Sequence, residues 1–204
     1  LTTSVPPDMI VGTGLDAFVH ALEAMTGQGR QAFTEAYGLE ATRRARGALA
    51  SYRHDPHDLH AAADMQLAAT LAGLAIDGGG TGMAHAIGHA LGSLYHVPHG
   101  IAVTLGLRAS LAWSIEADPG RYQPAAAAFG LPGGTAADLA EAFDGWLSEL
   151  AFDAVAARSL PASMSAGALH AELAAEPNRP MIQNNARPAA DADLAWLARQ
   201  VVAA

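Results

Sequence analysis

Residues 82–92 read GMAHAIGHALG, and residues 96–100 read HVPHG. Four of the nine histidines of the chain fall in this stretch, within fifteen positions. His85 and His89 are four residues apart, so a helix through them places both imidazoles on one face. His99 follows a proline, where we expect that helix to have ended, and returns from a turn. Imidazoles from a helix and a turn can converge on one ion, because imidazole is a common ligand of divalent metals.

A second pair of potential ligands lies near the N-terminus, where residues 12–23 read GTGLDAFVHALE. Asp16 and His20 are also four residues apart, in a segment of apolar and small residues. Burying a carboxylate and an imidazole there costs free energy unless the groups are paired or bind something. Either pair alone also fits a hydrogen-bonded pair or a polar helix face. Two helices that each present such a pair indicate one shared mononuclear metal site.

The composition of the 204 residues is typical of a well-packed protein, because 51% are hydrophobic and 15% are charged. The net charge of −9 and the pI near 5.3 argue against nucleic acid or an anionic membrane as a partner. The chain has no cysteine, so it forms neither disulfides nor thiolate zinc sites, which fits a cytoplasmic protein. We find no signal peptide and no apolar run of the ~18 residues that a membrane span needs.

Apolar periodicity and stop signals predict helices along almost the whole chain. The expected helices cover residues 8–26, 32–53, 58–77, 81–94, 101–117, 121–129, 136–150, 162–175 and 191–203, and residues 177–188 are expected to be extended. No convincing alternation of apolar and polar residues predicts a β-strand. We therefore expect an all-α fold, a multi-helix bundle in which residues 1–204 form a single domain.

Other groups have simpler interpretations. His54, His57 and His60 flank a turn between two predicted helices, and we interpret them as exposed. The apolar stretch 67–76 is interpreted as part of a buried core helix. The glycines at 78–80 follow no strand–helix unit, so we interpret them as a helix break and not as a phosphate-binding loop.

Both histidine segments resemble signatures of the iron-containing (group III) alcohol dehydrogenases. Residues 14–23, GLDAFVHALE, resemble the family's G-x-D-A-x-x-H-A-x-E segment. Residues 82–92, running on to 98–100, resemble its second signature, in the family's order. Residues 185–188, NARP, and the acidic last helix from Asp191 resemble the family's ending. The resemblance covers nearly the whole chain and implies the helical C-terminal domain of the dehydroquinate synthase-like fold.

The resemblance implies roles for individual residues. Asp16, His20, His85 and His99 would be the four metal ligands. His89 would line the substrate pocket and relay protons, and a packed histidine on the ligand helix is the alternative.

The remaining residues near the motifs receive smaller roles. His96 stands where the family often has asparagine, and we interpret it as a pocket-rim residue. Phe18 and Tyr95 are further candidates to shape the pocket. Glu23 is interpreted as an anchor of helix or domain contacts and not as a chemical group.

The implied activity is that of a metal-dependent alcohol dehydrogenase or aldehyde reductase, which transfers a hydride between NAD(P) and a small alcohol or carbonyl substrate. One carboxylate and three neutral imidazoles leave a net charge of +1 around a divalent ion, and they suit Fe²⁺ or Zn²⁺. Such a metal acts as a Lewis acid on the substrate oxygen. Members of the family often form dimers or larger assemblies, which implies a homo-oligomer.

Members of the family also carry a dinucleotide-binding domain before the Asp/His helix. Its glycine-rich phosphate loop does not occur in this chain, which starts at Leu1 and reaches the first helix through Pro6 and Pro7. We therefore expect a preceding domain to bind most of the NAD(P), assign no cofactor-binding residue here, and expect little turnover from this chain alone.

Two alternatives remain open. One is a maleylacetate reductase-type, NAD(P)H-dependent and metal-independent reductase, whose tail is also similar. Asp16 favours the metal enzyme, because those reductases generally depart from aspartate at this position. The other is a non-catalytic helical metal-binding module. The sequence does not identify the substrate or the native metal, and it does not distinguish NAD from NADP as the cofactor.

Overall fold

The computed structural model describes residues 2–131 and 133–203, and within these ranges the chain is a bundle of helices without β-strands. The eleven α-helices described are α1 (Pro7–Thr26), α2 (Ala32–His54), α3 (Leu59–Gly79), α4 (Met83–Tyr95), α5 (His99–Ala117), α6 (Pro119–Phe129), α7 (Ala136–Glu149), α8 (Phe152–Ala157), α9 (Ala166–Leu173), α10 (Arg179–Asn184) and α11 (Asp191–Ala203). Short 3-10 turns at Thr2–Ser4 and Glu176–Asn178 precede α1 and α10. The prediction of an all-α fold is confirmed.

Helix α1 lies at the centre of the bundle, where it packs against α2, α3 and α5. It can do so because most of its faces are apolar or small. The ring of Phe18 is fully buried and stacks on Phe143 with 5.5 Å between centroids, while Trp146 meets it edge-on at 5.1 Å. Phe18 is therefore part of the core, and the expectation that it shapes a pocket was wrong.

Glycines let α5 approach the other two histidine-bearing helices, α1 and α4, closely. A Cβ atom on Gly100 would lie 2.1 Å from the carbonyl oxygen of Gly12, and one on Gly106 would lie 2.3 Å from the carbonyl oxygen of Ala84. The first contact joins α5 to α1, and the second joins α5 to α4. Only a residue without a side chain fits such crossings. The backbone of α5 therefore touches those of α1 and α4, and the polar residues of the three helices face one another.

The glycine run between α3 and α4 is a helix break, as predicted. Helix α3 ends at Gly79, where a Cβ would lie 2.5 Å from the carbonyl oxygen of Ala24. Gly80 follows with a φ of +70°, in the left-handed region that favours glycine. The chain turns there and enters the core as α4, whose first residues are buried.

Several helix starts differ from the prediction, and three of them change the interpretation. Helix α5 begins at His99 itself, after Pro98, so His99 projects from a helix N-terminus and not from a turn. Helix α8 was not predicted, and it follows Ala151, whose left-handed φ of 49° breaks the helical path after α7. Helix α9 begins at Ala166 and not near 162, because the Ser165 hydroxyl caps it.

Residues 177–188 were predicted to be extended, but they contain a 3-10 turn and α10. Long-range hydrogen bonds hold this segment. The Asn184 side-chain amide donates to the carbonyl oxygens of Gly79 and Thr81 at 2.8 and 2.9 Å, and its Oδ1 accepts from the Gly29 N–H at 2.8 Å. These partners lie more than a hundred positions away in the chain, so local sequence signals do not show them.

Helix α3 is less buried than predicted. Leu67 and Leu74 are 41% and 49% exposed, while the opposite face packs on α1 and α2. Among the described residues, α3 also has the length and apolar composition of a membrane span, although the sequence had suggested no such run. The many alanines of α3 raise its mean hydropathy, although the helix contains Asp64. Of the most apolar 18-residue stretch of α3, 33% is buried inside the bundle.

The helix crossing at Gly106 makes a prediction. Gly106→Ala should lower the free energy of unfolding by about 1–3 kcal/mol, because the new methyl group meets the Ala84 carbonyl oxygen. Gly47→Ala is the matched control: Gly47 is exposed on α2 with nothing near its Cβ position, so alanine should stabilise the helix by about 0.5–1 kcal/mol. Urea unfolding of both variants measures the difference, and equal effects would contradict the close crossing.

Candidate metal centre

The structure brings Asp16, His20, His85 and His99 together. Asp16 and His20 lie one turn apart on α1, His85 is the third residue of α4, and His99 is the first residue of α5. One ligand atom from each lies within 4.8 Å of the other three. The four residues come from three helices and span 83 positions of the sequence (99 minus 16), yet their ligand atoms lie together.

The Asp16 carboxylate lies at the middle of this group. Its Oδ1 atom is 3.5 Å from His20 Nδ1, 3.7 Å from His85 Nε2 and 3.5 Å from His99 Nε2. These separations are at or beyond the upper limit for hydrogen bonds. Asp16 Oδ1 and His85 Nε2 are both buried without a hydrogen-bond partner, which costs free energy that a cation would offset. The donor set, one carboxylate oxygen and three imidazole nitrogens, fits a divalent transition metal.

Exposure differs across the group. His85 is 2% exposed, whereas the side chains of Asp16 and His20 are each 21% exposed and that of His99 is 48% exposed. A cavity of about 500 Å³ opens beside Asp16 and His99. The remaining walls are largely apolar and include Met9, Pro98, Ile101 and Val155, and Arg158 also lines the cavity. The group is therefore closed on the His85 side and accessible from the His99 side.

Glu23 supports the group from inside the protein. Its Oε2 accepts hydrogen bonds from the Gly82 N–H at 2.8 Å and lies 2.6 Å from His85 Nδ1, while its Oε1 accepts from the Ala84 N–H at 2.6 Å. Glu23 thus anchors the start of α4, in agreement with its interpretation as an anchor. Its contact with His85 was missed, although positions 16, 20 and 23 share one face of a helix.

Burial and neighbouring charges separate the pKa values of the group. Burial by itself would lower the pKa of His85, but the carboxylates of Glu23 and Asp16 outweigh it and raise this pKa to about 9. Burial and the nearby His85 lower the pKa of His20 to about 4. For Asp16, burial acts to raise the pKa, but the surrounding histidines lower it below its ordinary value.

The other histidines lie outside the four-residue group. His89 is exposed one turn after His85, with its ring centroid 5.8 Å from that of His99. Burial and the charges of His85 and His99 lower its pKa. His96 is exposed, and with a left-handed φ of 55° it ends α4.

Tyr95 and the histidines near the α2–α3 junction lie outside the group. The Tyr95 hydroxyl accepts from the Ser165 N–H at 2.9 Å, which ties α4 to α9. His54, His57 and His60 are exposed near the α2–α3 junction, as predicted.

Comparison with known proteins identifies the family of the chain. Residues 10–198 match the family profile described as "Fe-containing alcohol dehydrogenase family, C-terminal". The chain belongs to this family. The match contains all four residues of the group, and the resemblance in the sequence is confirmed at the level of the family.

The chain is similar to several curated dehydrogenases. It is 36% identical over 102 residues to the probable alcohol dehydrogenase EutG of Salmonella typhimurium, which is 50% of this chain and 26% of that protein. It is 32% identical over 155 residues to the choline dehydrogenase of Bacillus subtilis, which is 75% of this chain and 39% of that protein. The matches thus span less than half the length of these relatives.

Several solved structures share the fold. A 1,3-propanediol oxidoreductase superposes with a TM-score of 0.82 at 25% identity over 98% of this chain and 53% of that chain. The iron-containing alcohol dehydrogenase from Thermococcus thioreducens gives 0.86 at 23% identity, over 98% and 52%. Maleylacetate reductase from Rhizobium sp. gives 0.79 at 23% identity, over 99% and 55%. The chain therefore corresponds to about half of each of these chains.

The separated pKa values of the group predict a pH profile for the metal-free chain. His85 should stay protonated up to about pH 9, and its contribution to stability should be lost as the pH rises from 6.5 through 9. His20 should stay neutral down to about pH 4, and because the unfolded chain binds a proton near pH 6.5, stability should fall between pH 6.5 and 4.

Nitrogen-15 NMR of the imidazoles in EDTA, together with urea unfolding across this range, measures both effects. His85→Gln should remove the alkaline loss and leave the acid one. Two imidazoles that titrate together near pH 6.5 would contradict this arrangement.

Proposed function

We propose that this chain is the metal-binding and substrate-binding domain of an NAD(P)-dependent alcohol dehydrogenase or aldehyde reductase. One observation carries the proposal: Asp16, His20, His85 and His99 converge within 4.8 Å, and two of their buried atoms lack a partner. Membership of the iron-containing alcohol dehydrogenase family supports the reaction class. The substrate is accordingly a small alcohol in one direction and an aldehyde or ketone in the other.

These four residues would hold Fe²⁺ or Zn²⁺. When bound, the ion would act as a Lewis acid that lowers the pKa of a substrate hydroxyl and polarises a substrate carbonyl. The carboxylate of Asp16 leaves the occupied centre with a net charge of +1, which favours a negatively charged substrate oxygen there. His85 and His20 close the centre toward the core, and the exposed His99 borders the side from which a substrate arrives.

The cavity beside Asp16 and His99 would receive the carbon chain of the substrate. Its walls at Met9, Ile101 and Val155 are apolar, so they would take the chain out of water and leave the oxygen facing the polar group. Arg158 and Asp8 form an ion pair at this cavity, with Nη2 and Oδ2 2.5 Å apart. The pair neutralises both charges, which suits an uncharged alcohol.

His89 would pass the hydroxyl proton of the substrate toward solvent. It is exposed, and its ring lies 5.8 Å from that of His99 at the accessible side of the centre. Its lowered pKa keeps the imidazole neutral at neutral pH, so that it can accept a proton.

NAD(P) would accept the hydride, and we propose that a preceding domain binds most of it. The glycines at 78–80 do not offer a phosphate loop, because Gly79 packs against the Ala24 backbone and Gly80 breaks the helix. A sulfoacetaldehyde reductase of similar fold, 22% identical, was solved in complex with NAD⁺.

The metal-independent reductase is the second candidate. The fold does not separate it from the dehydrogenase, because maleylacetate reductase shares the architecture. Asp16 favours the metal enzyme, since its carboxylate lies within 3.7 Å of an imidazole nitrogen from each of three histidines.

Metal binding tests the proposal directly. The purified chain, loaded anaerobically with Fe²⁺ or Zn²⁺, should retain about one equivalent of metal after gel filtration. The double variant Asp16→Ala/His99→Ala should lose it, because two of four ligands are gone. His57→Ala/His60→Ala removes two exposed histidines outside the group and should retain the metal. Elemental analysis measures the metal content of all three proteins. A parent chain that retains no metal would overturn the hypothesis of a metal-dependent enzyme.

The role of His89 makes a separate prediction. In the active enzyme that contains this chain, His89→Gln should keep its metal and lower kcat by about 10²–10⁴-fold, because a proton acceptor is lost. His60→Gln, on the distant α2–α3 junction, is the control and should leave kcat unchanged. Steady-state kinetics measure kcat, and metal analysis checks that each variant keeps its ion. An unchanged kcat in His89→Gln would exclude His89 as the proton relay.

A further inference from the structure

We propose that Glu23 is a positioning residue that fixes the tautomer of His85, so that Nδ1 carries the proton and Nε2 offers its lone pair to the metal. This inference rests on the proposed function, because it concerns how the chain prepares one of the four ligands. Among the described residues, the Glu23 carboxylate makes its hydrogen bonds to Gly82, Ala84 and His85 and to none of the other three residues of the group, so it would act through His85 alone.

The Glu23 carboxylate is surrounded by nitrogen atoms that can donate hydrogen bonds. The carboxylate is 6% exposed and faces three nitrogen atoms, those of Gly82 N, Ala84 N and His85 Nδ1. Two of these are backbone N–H groups, which only donate, and they occupy both carboxylate oxygens. An ionised carboxylate has no proton to give, so the 2.6 Å contact with His85 is a hydrogen bond donated by Nδ1.

The opposite nitrogen of His85 follows from this bond. In the metal-bound form the His85 imidazole carries one proton, and a proton held on Nδ1 leaves the lone pair of Nε2 for the metal, in place of the second proton that the metal-free ring holds there. His85 Nε2 is the buried atom without a partner, 3.7 Å from Asp16 Oδ1 and within the four-residue group. The carboxylate on one side of the ring thus directs the free lone pair to the other side, where the ligands meet.

A second side chain holds the start of α4 without touching a ligand. Asn185 Oδ1 accepts from the Met83 N–H at 3.3 Å, in the same turn of backbone that Glu23 binds. Asn185 also donates to the Ser114 hydroxyl at 3.2 Å and to the Arg187 carbonyl oxygen at 3.0 Å. Removing Asn185 therefore weakens the same helix start and leaves the Glu23–His85 bond in place, which makes it a matched control.

The test compares Glu23→Gln with Asn185→Ala in the full chain. Glu23→Gln keeps the shape but replaces a charged acceptor by an amide, and it should lower the affinity for Zn²⁺ by about 10–100-fold. Asn185→Ala should lower the unfolding midpoint and change the zinc affinity by less than about threefold, since it leaves the ligand contact in place. Competition with a chromophoric chelator measures affinity, and circular dichroism during heating measures stability. Equal zinc affinities for the two variants would overturn the inference.

Nitrogen-15 NMR of the zinc-loaded parent chain tests the tautomer without any substitution. His85 should show a proton on Nδ1 and zinc on Nε2, and the Nδ1 proton should lie far downfield because of its short bond to a carboxylate. Zinc on Nδ1 would overturn the inference even if Glu23→Gln failed to fold. A parent chain that binds no zinc would overturn the proposed function as well, so the two failures are distinguishable.

Discussion

The backbone crossings of α5 with α1 at Gly100 and with α4 at Gly106 constrain every other part of the centre. A side chain at either glycine would push the helices apart, and the imidazoles of His85 and His99 would then no longer reach the carboxylate of Asp16. Four ligand atoms within 4.8 Å of one another require helix backbones in direct contact. The glycines therefore determine how closely the helices approach, and the histidines supply the ligand atoms.

Bringing three imidazoles and two carboxylates into this space creates an electrostatic conflict. Desolvation and mutual repulsion disfavour charge on the histidines, and the result is uneven: His85 holds a proton between Glu23 and Asp16, whereas His20 stays neutral. Two buried atoms remain without a partner. Holding these groups together lowers the stability of the metal-free protein and favours the binding of a cation. The cation would replace one proton of His85 and would coordinate the unpaired oxygen of Asp16.

Local periodicity in the sequence was sufficient for much of the fold. The i,i+4 spacings of Asp16/His20 and His85/His89 correctly predicted two helices, and the glycines at 78–80 correctly predicted the break between α3 and α4. The same spacing rules placed three of the four group residues on helices. These signals succeed because they depend on neighbours within one or two turns.

Tertiary contacts explain what the sequence did not show. Helix α10 depends on Asn184 and its partners across the chain, and the orientation of His85 depends on Glu23, 62 positions earlier. Phe18 was a candidate pocket residue, but its direction on α1 points it at Phe143 and Trp146. Such directions follow from packing between helices and not from local pattern.

The separation of the group along the chain has a thermodynamic consequence. Asp16 and His99 belong to helices joined by the whole of α2, α3 and α4, so an ion bound between them acts as a reversible cross-link that closes a long loop of the unfolded chain. Because such an ion binds the folded form and not the unfolded one, folding and metal supply are coupled by mass action. A free metal concentration one hundred times the Kd adds about 2.7 kcal/mol to the unfolding free energy, and chelation removes it.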